Sequence, residues 1–186
     1  MAGMKRLVTA VLAAAGMFYA TAAVGAPRIL VAYFSATGNT RSIAKQIAGE
    51  TGGSLFEIMP QKKYTAEDLD YRAAASRCVR EHNDRSIRPA IKMSALSVKD
   101  YDVVFVGYPV WWGEAPNILA TFLEMYDFAG KRMIPFCSSH SSPLGGSDVK
   151  LHKFAPKAVW QPGICFNAAS SKADVKKWLA GLKYGR

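Results

Sequence analysis

Three stretches of this chain combine residue types that could hold a phosphorylated, planar ligand. The first is Ser35-Ala36-Thr37-Gly38-Asn39-Thr40. Its three hydroxyls and one amide offer hydrogen-bond donors, and Gly38 lets the backbone approach an anion without a Cβ. The stretch lies between an apolar, β-branched run, Ile29-Leu30-Val31-Ala32-Tyr33-Phe34, and a segment where Ile43, Ala44, Ile47 and Ala48 recur at helical spacing. A strand turning directly into a helix leaves unpaired N–H groups at the positive end of the helix dipole, which is an anion site. The loop has no lysine, so the GxxxxGK[ST] pattern of triphosphate binders is not met. The plainer reading is a connection whose Ser and Thr only cap the helix.

The second stretch, Tyr108-Pro109-Val110-Trp111-Trp112-Gly113-Glu114-Ala115-Pro116, follows the apolar run Val103-Val104-Phe105-Val106-Gly107. In an extended segment adjacent side chains point opposite ways, so one tryptophan can pack inward while the other faces a pocket. We assign the pocket to Trp111, where stacking on a planar ring is worth about 1–3 kcal/mol. The third stretch runs from Ser138 through Ser139, His140, Ser141, Ser142, Pro143, Leu144, Gly145 and Gly146 to Ser147. Its small residues let backbone amides approach the polar edge of a ring.

T-G-N-T at residues 37–40 and Y-P-x-W-W-G at residues 108–113 resemble the flavodoxin family, in particular its short flavodoxin-like members, over residues 28–182. The resemblance implies a flavodoxin-like α/β fold: a doubly wound five-stranded parallel sheet, order 2-1-3-4-5, with helices on both faces. It also implies non-covalent FMN. The phosphate would lie on Ser35, Ala36, Thr37, Gly38, Asn39 and Thr40, and the ring among Pro109, Val110, Trp111, Trp112, Gly113, Ser138, Ser139, His140, Gly145 and Gly146. In many flavodoxins an aromatic residue of the third loop covers one flavin face. His140 is what this loop offers, so that face is expected to be open or covered by histidine.

These loops need strands and helices to place them, and the pattern supplies both. Strands are expected at 28–34, 54–60, 102–108, 133–138 and within 158–167. Helices are expected at about 40–50, 65–85, 116–126, 147–155 and 172–182, with Gly52 and Gly53 ending the first and Pro116 near the first turn of the third. Alternating strands and helices argue a parallel sheet with ligands beyond the carboxyl ends of its strands.

Residues 1–26 differ from the rest. Lys5 and Arg6 precede an uncharged apolar stretch from Leu7 to Ala23, and small residues follow up to Ala26. This fits a secretory signal peptide and a periplasmic product, with an uncleaved anchor or a misplaced start codon of a cytoplasmic protein as the alternatives. Residues 27–186 suffice for one domain. The formal charge is +10, and +8 without Lys5 and Arg6. A basic surface suits acidic redox partners or anionic lipid headgroups. Scattered rather than clustered cations argue against nucleic acid. Three cysteines lack a CxxC pattern; Cys137 and Cys165 lie in neighbouring strands and could pair in an oxidising compartment, but their apolar runs favour buried free thiols. His82, His140 and His152 share no ligand spacing, so no metal is expected.

No acid–base or nucleophilic cluster accompanies the loops, so the chemistry would be the cofactor's. The expected function is flavodoxin-like electron transfer between partner proteins. The alternatives are an FMN-dependent NAD(P)H:quinone-type reductase, against which the missing GxGxxG site counts, and a non-redox flavin-binding or interaction protein.

Overall fold

The computed structural model describes residues 25–167, 170–182 and 184. Residues 1–24 of the expected signal peptide lie outside the described residues. Among the described residues the chain forms β1 (Ile29–Tyr33), α1 (Asn39–Thr51), β2 (Ser54–Glu57), α2 (Arg77–Asn83), β3 (Val103–Pro109), α3 (Asn117–Met125), β4 (Arg132–Ser138), β5 (Val159–Trp160), β6 (Ile164–Phe166) and α4 (Lys172–Gly181). Short 3-10 turns lie at Glu67–Leu69, Val98–Asp100 and Val149–Phe154. All strand pairs are parallel, and the sheet order is β2-β1-β3-β4-β5, with β6 also paired to β4.

The strand sequences are apolar throughout because the sheet is covered on both faces. Alternate residues separate cleanly. Leu30, Ala32, Phe34, Val104, Val106 and Tyr108 pack with Ile118, Leu119, Phe122 and Leu123 of α3. Ile29, Val31, Tyr33, Val103 and Phe105 pack on the other face with Ala44 and Ile47 of α1 and Val175 and Leu179 of α4. The period of two along each strand thus feeds two cores at once.

Three expectations are corrected. The strand expected within 158–167 is split, because Pro162 has no N–H to donate and Gly163 passes so close to β4 that a Cβ there would lie 2.5 Å from the Pro135 carbonyl oxygen. The helix expected over 65–85 is reduced to one 3-10 turn and the seven residues of α2, which begins where the Ser76 hydroxyl accepts from the Val79 amide. The 45 residues between β2 and β3 are shaped by tertiary contacts, including the antiparallel bridge of Pro60 with Ile91. Finally, Cys137 and Cys165 are not free thiols. They face each other in the register of β4 and β6, with Cα atoms 4.4 Å apart, and form a disulfide, while Cys78 is free and buried.

Cys137 and Cys165 are 28 residues apart, and closing a loop of that size removes denatured-chain entropy worth about 3.5 kcal/mol. Cys165→Ala is therefore expected to lower the unfolding free energy by about that amount in urea titration, with the difference vanishing when both proteins are reduced. Thiol counting on the denatured, non-reduced protein should find one reactive cysteine.

Candidate functional site

At the carboxyl end of the sheet, hydrogen bonds continue the strand ladder into the loops. Phe34 N–H donates to the Gly107 carbonyl, Val110 N–H to Ser138 and Ser139 N–H to Phe166, each at 2.9 Å. The loops after β1, β3, β4 and β6 therefore leave the sheet in register and surround one cavity of about 650 Å³.

The first loop is braced from within. The Ser35 hydroxyl accepts from the Gly38 amide (3.1 Å) and the Arg41 amide (3.2 Å). Gly38, at φ 98°, occupies the left-handed region that glycine tolerates and has no side chain to cap α1, so the Ser35 hydroxyl on the Arg41 amide is the side-chain cap of this helix start among the described residues. The amides of Asn39 and Thr40 at the helix start thus remain available to an anion, and Thr37 and Asn39 line the cavity. Thr40 is buried, and its hydroxyl shares a 2.7 Å hydrogen bond with Ser138, tying the first loop to the third.

The second loop is not extended around its tryptophans. Trp111 and Glu114 exchange backbone hydrogen bonds at 2.9 and 3.0 Å across a tight turn, with Trp112 at φ 49° and Gly113 at φ 75°. Two consecutive left-handed residues define a type I′ geometry. Holding a tryptophan there costs roughly 1–2 kcal/mol. The turn sends the two rings to different places. Trp111 is 6% exposed and lines the cavity, edge-on to Phe34 (5.8 Å) and Tyr64 (5.4 Å). Trp112 is 40% exposed, stacked on His82 (4.7 Å) and edge-on to Tyr71 (4.6 Å).

Behind Trp111, the Tyr64 hydroxyl donates to Glu81 at 2.7 Å, and Arg77 both pairs with Glu81 (2.7 Å) and lies over the Tyr64 ring (3.8 Å). Burial first, and then the Glu81 charge, push the Tyr64 phenol well up, so it stays a donor. A buried carboxylate with two charge-satisfying partners thereby fixes the ring against which Trp111 rests.

The third loop is closed by its own hydroxyls. Ser139 accepts from the Ser142 amide (2.8 Å), Ser147 donates to the Leu144 carbonyl (2.7 Å), and Ser147 shares a 2.9 Å bond with the buried Tyr108 hydroxyl. Among the described residues, no Asp, Glu, Lys or Arg lines the cavity. Tyr71, which does, has its phenol pushed up to about 12 by burial and by the neighbouring Cys78.

The family model described as flavodoxin matches residues 28–182. The chain belongs to the flavodoxin family. It is 42% identical to a candidate flavoprotein of Bacteroides eggerthii DSM 20697, over 83% of this chain and 96% of that one, with a TM-score of 0.78. A second, from Bacteroides uniformis ATCC 8492, is likewise 42% identical over 83% and 99% of the two chains, with a TM-score of 0.80. The flavoprotein of Lactobacillus acidophilus NCFM solved in complex with FMN shares the fold at 20% identity, over 83% and 99%, with a TM-score of 0.64. No curated protein matches the chain.

Within this flavodoxin framework the expected residues separate into two groups. Ala36, Thr37, Asn39, Pro109, Val110, Trp111, Ser138, Ser139 and His140 line the cavity. Trp112, Gly113, Gly145 and Gly146 do not, and Ser35, Gly38 and Thr40 serve the first loop from behind its surface. Lining residues that the motifs did not indicate are Ser42, Ile43 and Gln46 of α1, Leu69 and Tyr71 of the long connection, the loop residues Ser141 and Ser142, and Phe166, Asn167 and Ser170 after β6. The α1 set follows Asn39 at helical spacing, a signal present in the sequence. Tyr71 has no local signal, because it lies in the irregular stretch between the Glu67–Leu69 turn and α2.

These residues fit FMN: two free amides at a helix start for a phosphate, an aromatic wall for a ring, and an uncharged lining of hydroxyls and amides for its polar edge. The turn itself rests on Glu114, whose carboxyl is held below the ordinary 4.5 by the Lys150 hydrogen bond and by the Arg85 and His82 charges, against burial. A lowered carboxyl is stabilising above pH 4.5, and its contribution fades as the pH falls through the lowered value. Carbon-13 titration of Glu114 should give a midpoint below 4.5, and Lys150→Met should raise it.

Proposed function

We propose that this chain binds FMN in the cavity and carries electrons between partner proteins. One observation supports the reading above the others: the first two amides of α1, left without a partner among the described residues, and the ring of Trp111 border the same uncharged space. Thr37, Asn39 and the first amides of α1 hold the phosphate, Trp111 and Tyr71 flank the ring, and the backbone of the third loop meets its polar edge. Bound there, FMN supplies the electron-transfer chemistry. The Tyr71 phenol, raised to about 12, stays protonated at neutral pH and so keeps a proton to donate. Among the described lining residues there is no carboxylate, lysine or arginine, and His140 and Tyr71 share no hydrogen bond that would pair them as acid and base, which favours a carrier. The exposed rim at His140, Ser141 and Ser142 favours a second reading, an FMN-dependent reductase that takes hydride from NAD(P)H and reduces quinones.

The physiological partners in this proposal are acidic redox proteins, attracted by a chain that keeps a charge of +8 without Lys5 and Arg6, or a quinone-like acceptor. Export to the periplasm belongs to the same proposal. Its supports are the Lys5-Arg6 segment with its apolar continuation and the disulfide, a bond that persists in oxidising compartments.

Thr37→Ala with Asn39→Ala should weaken FMN far more than riboflavin, which lacks the phosphate; equal losses would remove the phosphate assignment. Trp111→Leu should weaken both flavins alike, by about 5- to 150-fold for a lost stack of about 1–3 kcal/mol, read by fluorescence quenching. Thr40 is left intact in this series because its hydroxyl ties two loops together.

An anaerobic reductive titration of the FMN-loaded protein, followed by visible absorption, separates the functional readings. Reduction in two resolved one-electron stages supports the carrier. A single two-electron stage, with rapid turnover of NADPH and a quinone, supports the reductase and overturns the carrier.

A further inference from the structure

On the other side of the Trp111–Glu114 turn lies a second cleft, of about 260 Å³, between the start of α3 and the 3-10 segment Val149–Phe154. It contrasts with the flavin cavity in being charged. Arg85, Lys150 and Lys153 line it together with a single carboxylate, Glu114, over an apolar floor that includes Leu151 and Phe154. Arg85 is pinned by Glu114 (3.3 Å) and by the Ala115 carbonyl (2.8 Å), and Lys150 is bonded to Glu114. The Lys153 ammonium rests 4.9 Å from the centre of the Phe154 ring. Asn117, 2% exposed, also borders the cleft. It gives its amide hydrogens to the Glu81 and Asp84 carbonyls at 2.8 and 3.0 Å, which leaves its carbonyl oxygen as an acceptor without a hydrogen bond among the described residues.

We propose that this cleft binds a small hydroxyaryl carboxylate: the carboxylate on Lys150 and Lys153, the ring on Leu151 and Phe154, and the hydroxyl donated to the Asn117 carbonyl oxygen. Three cations against one carboxylate call for an anion. The apolar floor rejects a bare inorganic anion as the fitting ligand, because that surface gains nothing from it. The volume falls below the usual range of roughly 300–1,000 Å³ for drug-sized ligands, so a dinucleotide does not fit. The ligand takes Lys150 partly away from Glu114, the residue bonded through its backbone to the cavity-lining Trp111. The site does not rest on the flavin reading.

The test is a nitrogen-15 amide titration of the full chain with 4-hydroxybenzoate, with and without saturating FMN. Saturable shifts are expected at Ala115, Asn117, Leu151 and Phe154 in both states. Lys150→Gln with Lys153→Gln, both solvent-facing changes, should weaken binding at least tenfold. Glu114→Gln, which releases Lys150 and removes the competing carboxylate, should strengthen it severalfold. Inorganic phosphate at equal ionic strength should bind at least tenfold more weakly. No saturable shift, shifts confined to Thr37 and Ser139, equal binding by the double-lysine variant, or equal binding of phosphate would overturn the proposal.

Discussion

The parallel register of β1, β3, β4 and β6 at one end of the sheet is the constraint on which the site depends. Each of the three loop-to-strand hydrogen bonds at that end, from Phe34, Val110 and Ser139, fixes where a loop begins. A slip of one residue in any strand would turn its side chains to the opposite core and move its loop with them. Such a slip is opposed on both faces, since Val104 and Phe105, neighbours in sequence, are fully buried in different cores. The cavity is thus held open by the same two cores, which reach its wall at Trp111 and Phe166.

Polar side chains at this end divide between holding the loops and facing the cavity. Ser35, Thr40, Ser147 and Tyr108 are consumed in bonds that hold the loops to one another. Thr37 and Asn39 are left facing the space. The division has a physical reason: a buried hydroxyl must find a partner in the folded chain, whereas one at a cavity wall can leave its partner to a ligand. The neutral lining extends the same logic, because a charge there would need a permanent counter-charge. The charged groups collect instead around Glu114, where three cations and one carboxylate share a separate cleft.

Much of this was legible in the chain itself. The strand runs, the turn at Gly38 and the two motifs place the first and second loops at the same end of a parallel sheet on sequence pattern alone. Local pattern failed where tertiary contacts decide. The helical composition of residues 65–85 gave way to the Arg77, Glu81 and Tyr64 contacts, so the arrival of Tyr71 at the cavity had no sequence signal. The adjacent tryptophans were read as an extended pair, but Gly113 after Trp112 allows a left-handed turn, and that turn rather than strand alternation parts the rings. The cysteines were read from their apolar surroundings, which say that they are buried but not that the register sets them opposite one another.

The bond between Cys137 and Cys165 makes a covalent ring of the chain between them. That ring contains the whole third loop, the 3-10 segment that floors the second cleft, and β5. Its exposed residues from His140 to Pro143 are the part a protease reaches most easily. A cut there would open the loop without parting the molecule, because the two fragments remain linked through sulfur and through the strands on either side. Under oxidising conditions a single nick therefore leaves one particle, and the chain comes apart into two pieces only when it is both reduced and unfolded.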